Sequence, residues 1–341
     1  MKALYITQPG DCVVREMDPP PLRPEEVLLS IRLIGLCGTD LSSYQGRNPL
    51  VTYPRIPGHE IAATVLEVGS EVPRELHLQP GVDVTLYPNT SCGRCASCRR
   101  GRINACKFNE TLGVQRDGAM KNLLTVPWQK IVRSSDLGLR ELSVVEPLAV
   151  GFHAVGRGRV DSQDVVAVIG CGMVGLGALA ASAARGARTI AIDLDDEKLN
   201  LAKQAGAQDT INSQREDIHA LLEKLTEGFG PDVVIEAVGA TGTYRMAVEE
   251  VAHTGRVVYI GWAKEPISFD TKLFVHKELD ILGSRNYLDE FPVVIDVLRA
   301  GRFPVEATIS ATVPLDDAPD ALRRWSQSPQ AFTKILVDMD A

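Results

Sequence analysis

Four cysteines, Cys92, Cys95, Cys98 and Cys106, fall in the stretch SCGRCASCRRGRINAC with the spacing Cys-x2-Cys-x2-Cys-x7-Cys. Loops of that length let four sulfurs converge on one tetrahedral zinc, leaving no coordination position for water. The bacterial iron–sulfur motif instead ends in a shorter gap and a Pro. Here the last gap is seven residues and Lys107 follows, so a structural zinc is expected. Arg94, Arg99, Arg100 and Arg102 would offset the negative charge of the thiolates. A second constellation lies in GHEIAATVLEVG, where His59 and Glu60 precede an apolar run. Neighbours on a strand face opposite sides, so these two could serve one ion only at a bend. A hydrogen-bonded structural histidine is the plain alternative, and the stretch itself decides neither.

A third chemistry begins at Val165. Val165 to Ile169 is too short a run for a helix and suits a strand buried on both faces. Gly170, Gly172 and Gly175 follow in G-x-G-x-x-G register, which permits a tight turn and close approach of backbone to a pyrophosphate. The anion would sit at the N-terminus of a helix beginning near Met173 and Val174, where free N–H groups and the dipole favour it. Alone the motif is weak. This one follows a strand, opens a small-residue helix and precedes a second strand, Thr189 to Ile192, that ends at Asp193. An acid there accepts from the adenosine ribose and repels a 2′-phosphate, so NAD is expected over NADP. Asp193 could instead cap the next helix, but Asp195 and Asp196 are better placed for that, and Gly206 suits the helix's end. Val238, Gly261, Ser284 and Arg285 lie in or just after the later strand-like segments and are further cofactor-binding candidates.

These residues need a scaffold. At 341 residues the chain is long for one core, and two domains are expected. Short alternating runs punctuated by Pro and Gly fill residues 1–150 and predict a mostly β domain. Residues 151–285 alternate strand and helix, the pattern of a doubly wound parallel sheet, or Rossmann domain, in an α/β fold. The tail, 286–341, is expected to return to the first domain. The zinc lobe spans 90–108. A net charge of −8 opposes binding to nucleic acid or to an anionic membrane. The start MKALYITQPGDCVVRE has neither a basic opening nor a long apolar segment, and no run of eighteen apolar residues occurs. A cytoplasmic protein is expected, and its seven cysteines are not read as disulfides.

With these pieces in view, the chain resembles the zinc-containing medium-chain dehydrogenases, in their polyol (sorbitol-like), threonine and sugar-acid branch. The resemblance rests on GLCGTDL (35–41), YPRIPGHE (53–60), the cysteine lobe, VEPLAVGFHAV (145–155) and the glycine turn, and it covers nearly the whole length. It implies a GroES-like catalytic domain beside the Rossmann domain, one catalytic and one structural zinc per chain, NAD, and a homo-oligomer, dimer or tetramer. Cys37 and His59 are then ligands of the catalytic zinc. Glu60 and Glu146 hold the remaining acidic positions. Glu60 is expected to be the third ligand or to stand directly behind it, and Glu146 to touch the bound water or the substrate hydroxyl. The implied reaction is oxidation of a secondary alcohol with hydride transfer to the nicotinamide. Thr39 matches the start of the family's proton relay. Ser42 replaces the histidine common three residues later, so the relay would continue through Ser42, water, Ser43 or the cofactor ribose. His153 is read as structural.

The stretch FVHKELDILGSRNYLDEFPVVIDVL resembles the bacterial sugar-acid group, such as L-gulonate and L-galactonate 5-dehydrogenases, more than alcohol or threonine dehydrogenases. A sugar acid needs a cation for its carboxylate, ideally a bidentate Arg, and the candidates are Arg285, Arg116 and Arg47. Ser43 and Met120 stand where the family carries aromatics, which suggests a more polar pocket. Alternatives are an L-threonine 3-dehydrogenase, a sorbitol- or galactitol-type enzyme, a catalytically silent zinc- and NAD-binding protein, or a zinc-ribbon nucleic-acid binder. The acidic charge counts against the last.

Overall fold

The computed structural model describes residues 1–134 and 136–341. The chain divides into two compact units, one of residues 1–146 and 305–341 and one of residues 147–304. The first unit contains strands β1 (Lys2–Gln8), β2 (Asp11–Glu16), β3 (Glu26–Leu36), β4 (Glu60–Val68), β5 (Asp83–Leu86), β6 (Leu123–Pro127) and β7 (Ile131–Arg133). The second contains β8 (Val165–Ile169), β9 (Arg188–Asp193), β10 (Asp209–Asn212), β11 (Val233–Glu236), β12 (Arg256–Tyr259) and β13 (Asp280–Gly283). After it come β14 (Ile309–Pro314) and β15 (Lys334–Asp338), which belong to the first.

In the first unit the sheet runs β14-β15-β3-β4-β5-β7, with β6 also paired to β3. Its long central strand, EVLLSIRLIGL, alternates buried and half-buried residues and then becomes wholly buried over its last four. Alternation suits a sheet with one wet face, and the buried end marks where both faces are covered. That end meets the start of β4 in antiparallel register, Gly35 opposite Glu60. On its other side β3 pairs with β15, Leu36 opposite Ile335. Leu29, Ile31, Ile34, Ile61, Leu86 and Ile335 are in the core beneath.

The second unit holds a wholly parallel sheet in the order β10-β9-β8-β11-β12-β13. Numbered from β8, this is 3-2-1-4-5-6, the order of dinucleotide-binding domains. The strand at Val165–Ile169 and the helix start at Met173 fall where the sequence places them. Asp195, not Asp193, caps the helix Asp196–Gln204, accepting from the N–H groups of Glu197 and Lys198.

One boundary differs from expectation. Residues 286–304, assigned from sequence to the first domain, fold with the second. Phe291 is fully buried, its ring tilted against that of Tyr287 in the same segment with centroids 4.7 Å apart, and a polar contact ties the segment to the rest of the unit. Glu290, just before the helix Phe291–Arg299, meets His153 Nδ1 at 2.7 Å. His153 is therefore held in a structural pair. The other boundary lies at Glu146/Pro147, within the helix Leu139–Arg157. Among the described residues no helix is long and apolar enough to cross a membrane.

Candidate active site and zinc centres

The buried end of β3 and the start of β4 bring three donors together. One ligand atom each from Cys37, His59 and Glu60 lie within 4.8 Å of one another. Cys37 immediately precedes the helix Gly38–Tyr44, and His59 follows Gly58, whose φ of +97° supplies the bend that two adjacent donors require. Asp40 holds the two segments in place. Its carboxylate is fully buried and accepts from Cys37 N at 3.0 Å and from Gly58 N at 3.1 Å. Its Oδ1 also lies 3.9 Å from His59 Nδ1, which has no hydrogen-bond partner among the described residues.

The electrostatics are those of a cation site. Burial alone pulls the His59 imidazole down, but the negative charge at Cys37 and Asp40, with Glu146 contributing, raises its pKa well above the ordinary value. A proton is thus favoured where these acceptors converge, and a thiolate, an imidazole and a carboxylate are a donor set that zinc accepts. The residues fit the ion. Glu146 is also buried, and its carboxyl is pushed up to about 7, first by burial, with His59 pulling down and Glu60 pushing up. It stands outside the close three-donor group.

Two further residues shape Glu60. Lys334 on β15 is 3% exposed, and its ammonium donates to the Glu60 carboxylate and, at 3.0 Å, to Leu36 O. Gly35 lies under the same carboxylate: a Cβ there would stand 2.1 Å from Glu60 Oε2. Neither Lys334 nor Asp40 was singled out from sequence. The legible sign was a lysine directly before the apolar run Ile335–Val337, buried together with it.

The cysteine lobe forms a second centre. The sulfurs of Cys92, Cys95, Cys98 and Cys106 all lie within 4.8 Å of one another, with Cys95–Cys98 at 3.5 Å and Cys95–Cys106 at 3.9 Å. Four sulfurs held at the usual zinc–sulfur length would lie about 3.8 Å apart. Backbone N–H groups also point at sulfur, from Cys92 and Phe108 to Cys106 and from Cys95 to Cys92. The Ser97 hydroxyl, then the N–H groups of Cys98 and Lys107, bring Cys95 down to about 5, whereas burial and then its sulfur neighbours push Cys98 up to about 11. The lobe is a closed four-sulfur site that fits a structural zinc.

The geometry of the glycine turn fits a pyrophosphate. Gly170 has φ +95°, and a Cβ on Gly175 would lie 1.8 Å from Gly170 O, so the helix starts against the turn. A Cβ on Gly172 would meet nothing within 4 Å, which leaves the space over the helix N-terminus at Met173 and Val174 open to a ligand. Asp193 braces the turn: Oδ2 accepts from Cys171 N at 2.7 Å, and Oδ1 from Leu194 N and Asp195 N. A carboxylate offers about four acceptor positions, so capacity remains for a ribose hydroxyl.

The chain matches the family model "Alcohol dehydrogenase GroES-like domain" over residues 23–136 and "Zinc-binding dehydrogenase" over residues 173–300. It is 30% identical to L-galactonate-5-dehydrogenase of Escherichia coli K12, over 92% of this chain and 90% of that one. The protein belongs to the zinc-dependent medium-chain dehydrogenases. It is equally 30% identical to sorbitol dehydrogenase of Bacillus subtilis 168, over 99% of this chain and 97% of that one. A structure from Sinorhizobium meliloti 1021 bound to NADP is 29% identical with a TM-score of 0.90, covering 99% of this chain and 98% of that one. The rspB alcohol dehydrogenase from Escherichia coli CFT073, complexed with NADH, is 28% identical with a TM-score of 0.90, covering 99% of both chains. This dehydrogenase thus uses zinc and a nicotinamide cofactor to act on an alcohol or polyol.

The remaining sequence candidates divide. Thr39 and Ser42 are both half-buried and lie one turn apart on the same helix, so they share a face. Ser43 does not: it is fully buried, donates to Thr39 O at 2.8 Å and receives Asn48 at 3.2 Å, which commits it to holding the helix. Met120 is likewise fully buried, in the core of the first unit. The inference of a polar pocket from Ser43 and Met120 therefore fails, because neither side chain reaches a surface. Arg47 is exposed. Arg116 is half-buried, donates to Pro88 O at 3.3 Å and is pulled down by burial. Arg285 is half-buried and Ser284 buried, both just after β13, whereas Val238 and Gly261 follow β11 and β12.

Proposed function

We propose that the protein oxidises a secondary alcohol of a sugar acid, of the L-gulonate or L-galactonate kind, to the ketone, with NAD as hydride acceptor. The observation that carries the alcohol chemistry of this reading is the convergence of Cys37, His59 and Glu60 within 4.8 Å, braced by Asp40 and Lys334. Zinc bound there would supply Lewis acidity toward an alcohol oxygen, lowering its pKa. Cys37, His59 and Glu60 are the ligands on this reading, and Glu146 is the carboxylate that receives the substrate hydroxyl or a water. Thr39, two residues past Cys37 on the first turn of its helix, takes the hydroxyl proton, and Ser42, one turn along, passes it outward. A substrate carboxylate is held by Arg285, Arg116 or Arg47. Similarity to L-galactonate-5-dehydrogenase supports the sugar acid, and equal similarity to a sorbitol dehydrogenase keeps the polyols in the test. Asp193 supports NAD over NADP. A cytoplasmic homo-oligomer, dimer or tetramer, is part of the same proposal, and sedimentation counts its subunits.

The deciding experiment is NAD reduction across a stereochemically complete set of hexonates, hexitols and L-threonine. A hexonate turned over with the highest kcat/KM supports the reading. Preference for a hexitol or for threonine replaces the substrate class while keeping the chemistry. Zinc-loaded protein silent on every alcohol would return the chain to a binding role.

A further inference from the structure

Glu236 is a charged residue at the centre of a parallel sheet, and it is fully buried. It ends β11, beside Ile169 of β8 on one side and Tyr259 of β12 on the other. Its Oε1 accepts three hydrogen bonds, from Val238 N at 2.9 Å, Gly239 N at 2.7 Å and Thr243 Oγ1 at 2.7 Å. Its main-chain oxygen receives Ile260 N at 2.9 Å and Gly261 N at 3.2 Å. One residue therefore ties together the loops that leave two adjacent strands. Its other carboxylate oxygen, Oε2, is buried and has no partner among the described residues. Leaving such an atom unsatisfied is costly, and a buried orphan calls for an explanation.

The surroundings are as tight as backbone allows. A Cβ on Gly261 would stand 2.2 Å from Gly239 N and 2.7 Å from Glu236 Oε2. A Cβ on Gly239, whose φ is +82°, would stand 2.6 Å from Trp262 O. Below them Tyr244 and Tyr259 stack with centroids 4.1 Å apart, and the Tyr244 hydroxyl donates to Gly261 O. On this locked base sit two large apolar side chains, Val238 at 52% and Trp262 at 60% exposure. Val238 also abuts the glycine turn, since a Cβ on Gly170 would lie 2.6 Å from its Cγ2.

Strand order says what these loops face. Asp193 marks the adenosine end, after β9, and the glycine turn marks the pyrophosphate, after β8. A dinucleotide crosses the switch point of such a sheet, so its other half continues over the ends of β11 and β12. We propose that Glu236 is a positioning residue for the nicotinamide half of the cofactor, its buried carboxylate fixing the 237–240 and 260–262 loops so that Val238 and Trp262 form one wall of that subsite. The inference rests on the cofactor reading of the glycine turn.

The test compares two ligands on purified protein by titration calorimetry: NADH, and ADP-ribose, which lacks the nicotinamide. Glu236→Ala is expected to weaken NADH at least tenfold and to change ADP-ribose less than about twofold. Glu236→Gln, which keeps one acceptor oxygen in place, is expected to recover most of the loss. Thr243→Val removes one donor to Oε1 without emptying the core, and shows a smaller loss of the same selectivity if Glu236→Ala does not fold. Equal weakening of both ligands, or none of either, overturns the inference. Wild-type protein that binds neither ligand overturns the cofactor reading itself, and this inference with it.

Discussion

Lys334 and Glu60 form a buried ion pair with side chains 2% and 1% exposed. Removing one partner of such a pair leaves a bare charge and costs about 3–5 kcal/mol. Lys334→Met should therefore lower the Tm of the metal-free protein. Because the lysine competes with a cation for Glu60, added zinc should restore more Tm in the variant than in wild type, and thermal unfolding with and without zinc measures both. Equal zinc responses would mean that Glu60 is not a ligand. Asp193 carries a second prediction. Asp193→Gly should raise KM for NAD about tenfold, the size of one lost hydrogen bond to a charged group. It should also relax discrimination against NADP, as steady-state kinetics with both cofactors would show. The lobe cysteines and Asp193 were legible because each sits in a short pattern whose spacing points to its chemistry, whereas His59 was legible only through the resemblance carried by several separated motifs. Asp40 and Lys334 were not. Their partners Gly58 and Glu60 lie 18 and 274 residues away, and no window of sequence contains both ends of such a contact.

Among the elements, strands β8 and β9 and the helix after the glycine turn were readable because apolar runs, glycines and a cap coincide. The allegiance of the helix Phe291–Arg299 was not readable, because it depends on a contact between residues 137 positions apart. Its tie to the helix Leu139–Arg157 is the His153–Glu290 pair, and this gives a pH dependence. Burial by itself would raise the Glu290 carboxyl, but the hydrogen bonds from His153 and Leu288 N hold it below its ordinary value. A depressed carboxyl stabilises above its unfolded pKa, about 4.3, and that contribution disappears as pH falls through the lower folded value. Glu290→Gln should be less stable than wild type near neutrality, with the Tm difference shrinking below about pH 4. A gap that stays constant with pH would show that the pair works by shape alone.

For the molecule as a whole, two metal centres of different chemistry share the first unit. Three donors at one leave a coordination position open, and four sulfurs at the other leave none. Metal analysis should find two zincs per chain. A chelator should take the Cys37–His59–Glu60 ion first, abolishing turnover while circular dichroism is unchanged. Loss of the lobe ion should follow, with new protease cleavage near residues 90–108, since binding there is coupled to folding. One zinc per chain at full activity would contradict this. The order in which the first unit is written along the chain has a further result for biosynthesis. Residues 147–304 stand between its two segments, and at ribosomal speeds of about 5–20 residues per second they take roughly 8–30 s to make. Throughout that interval the nascent polypeptide displays Cys37, His59 and Glu60 with β3 lacking β15 and no Lys334 to neutralise the glutamate. Copper binds such donors more tightly than zinc, so a low level of free copper during synthesis would favour zinc at this site.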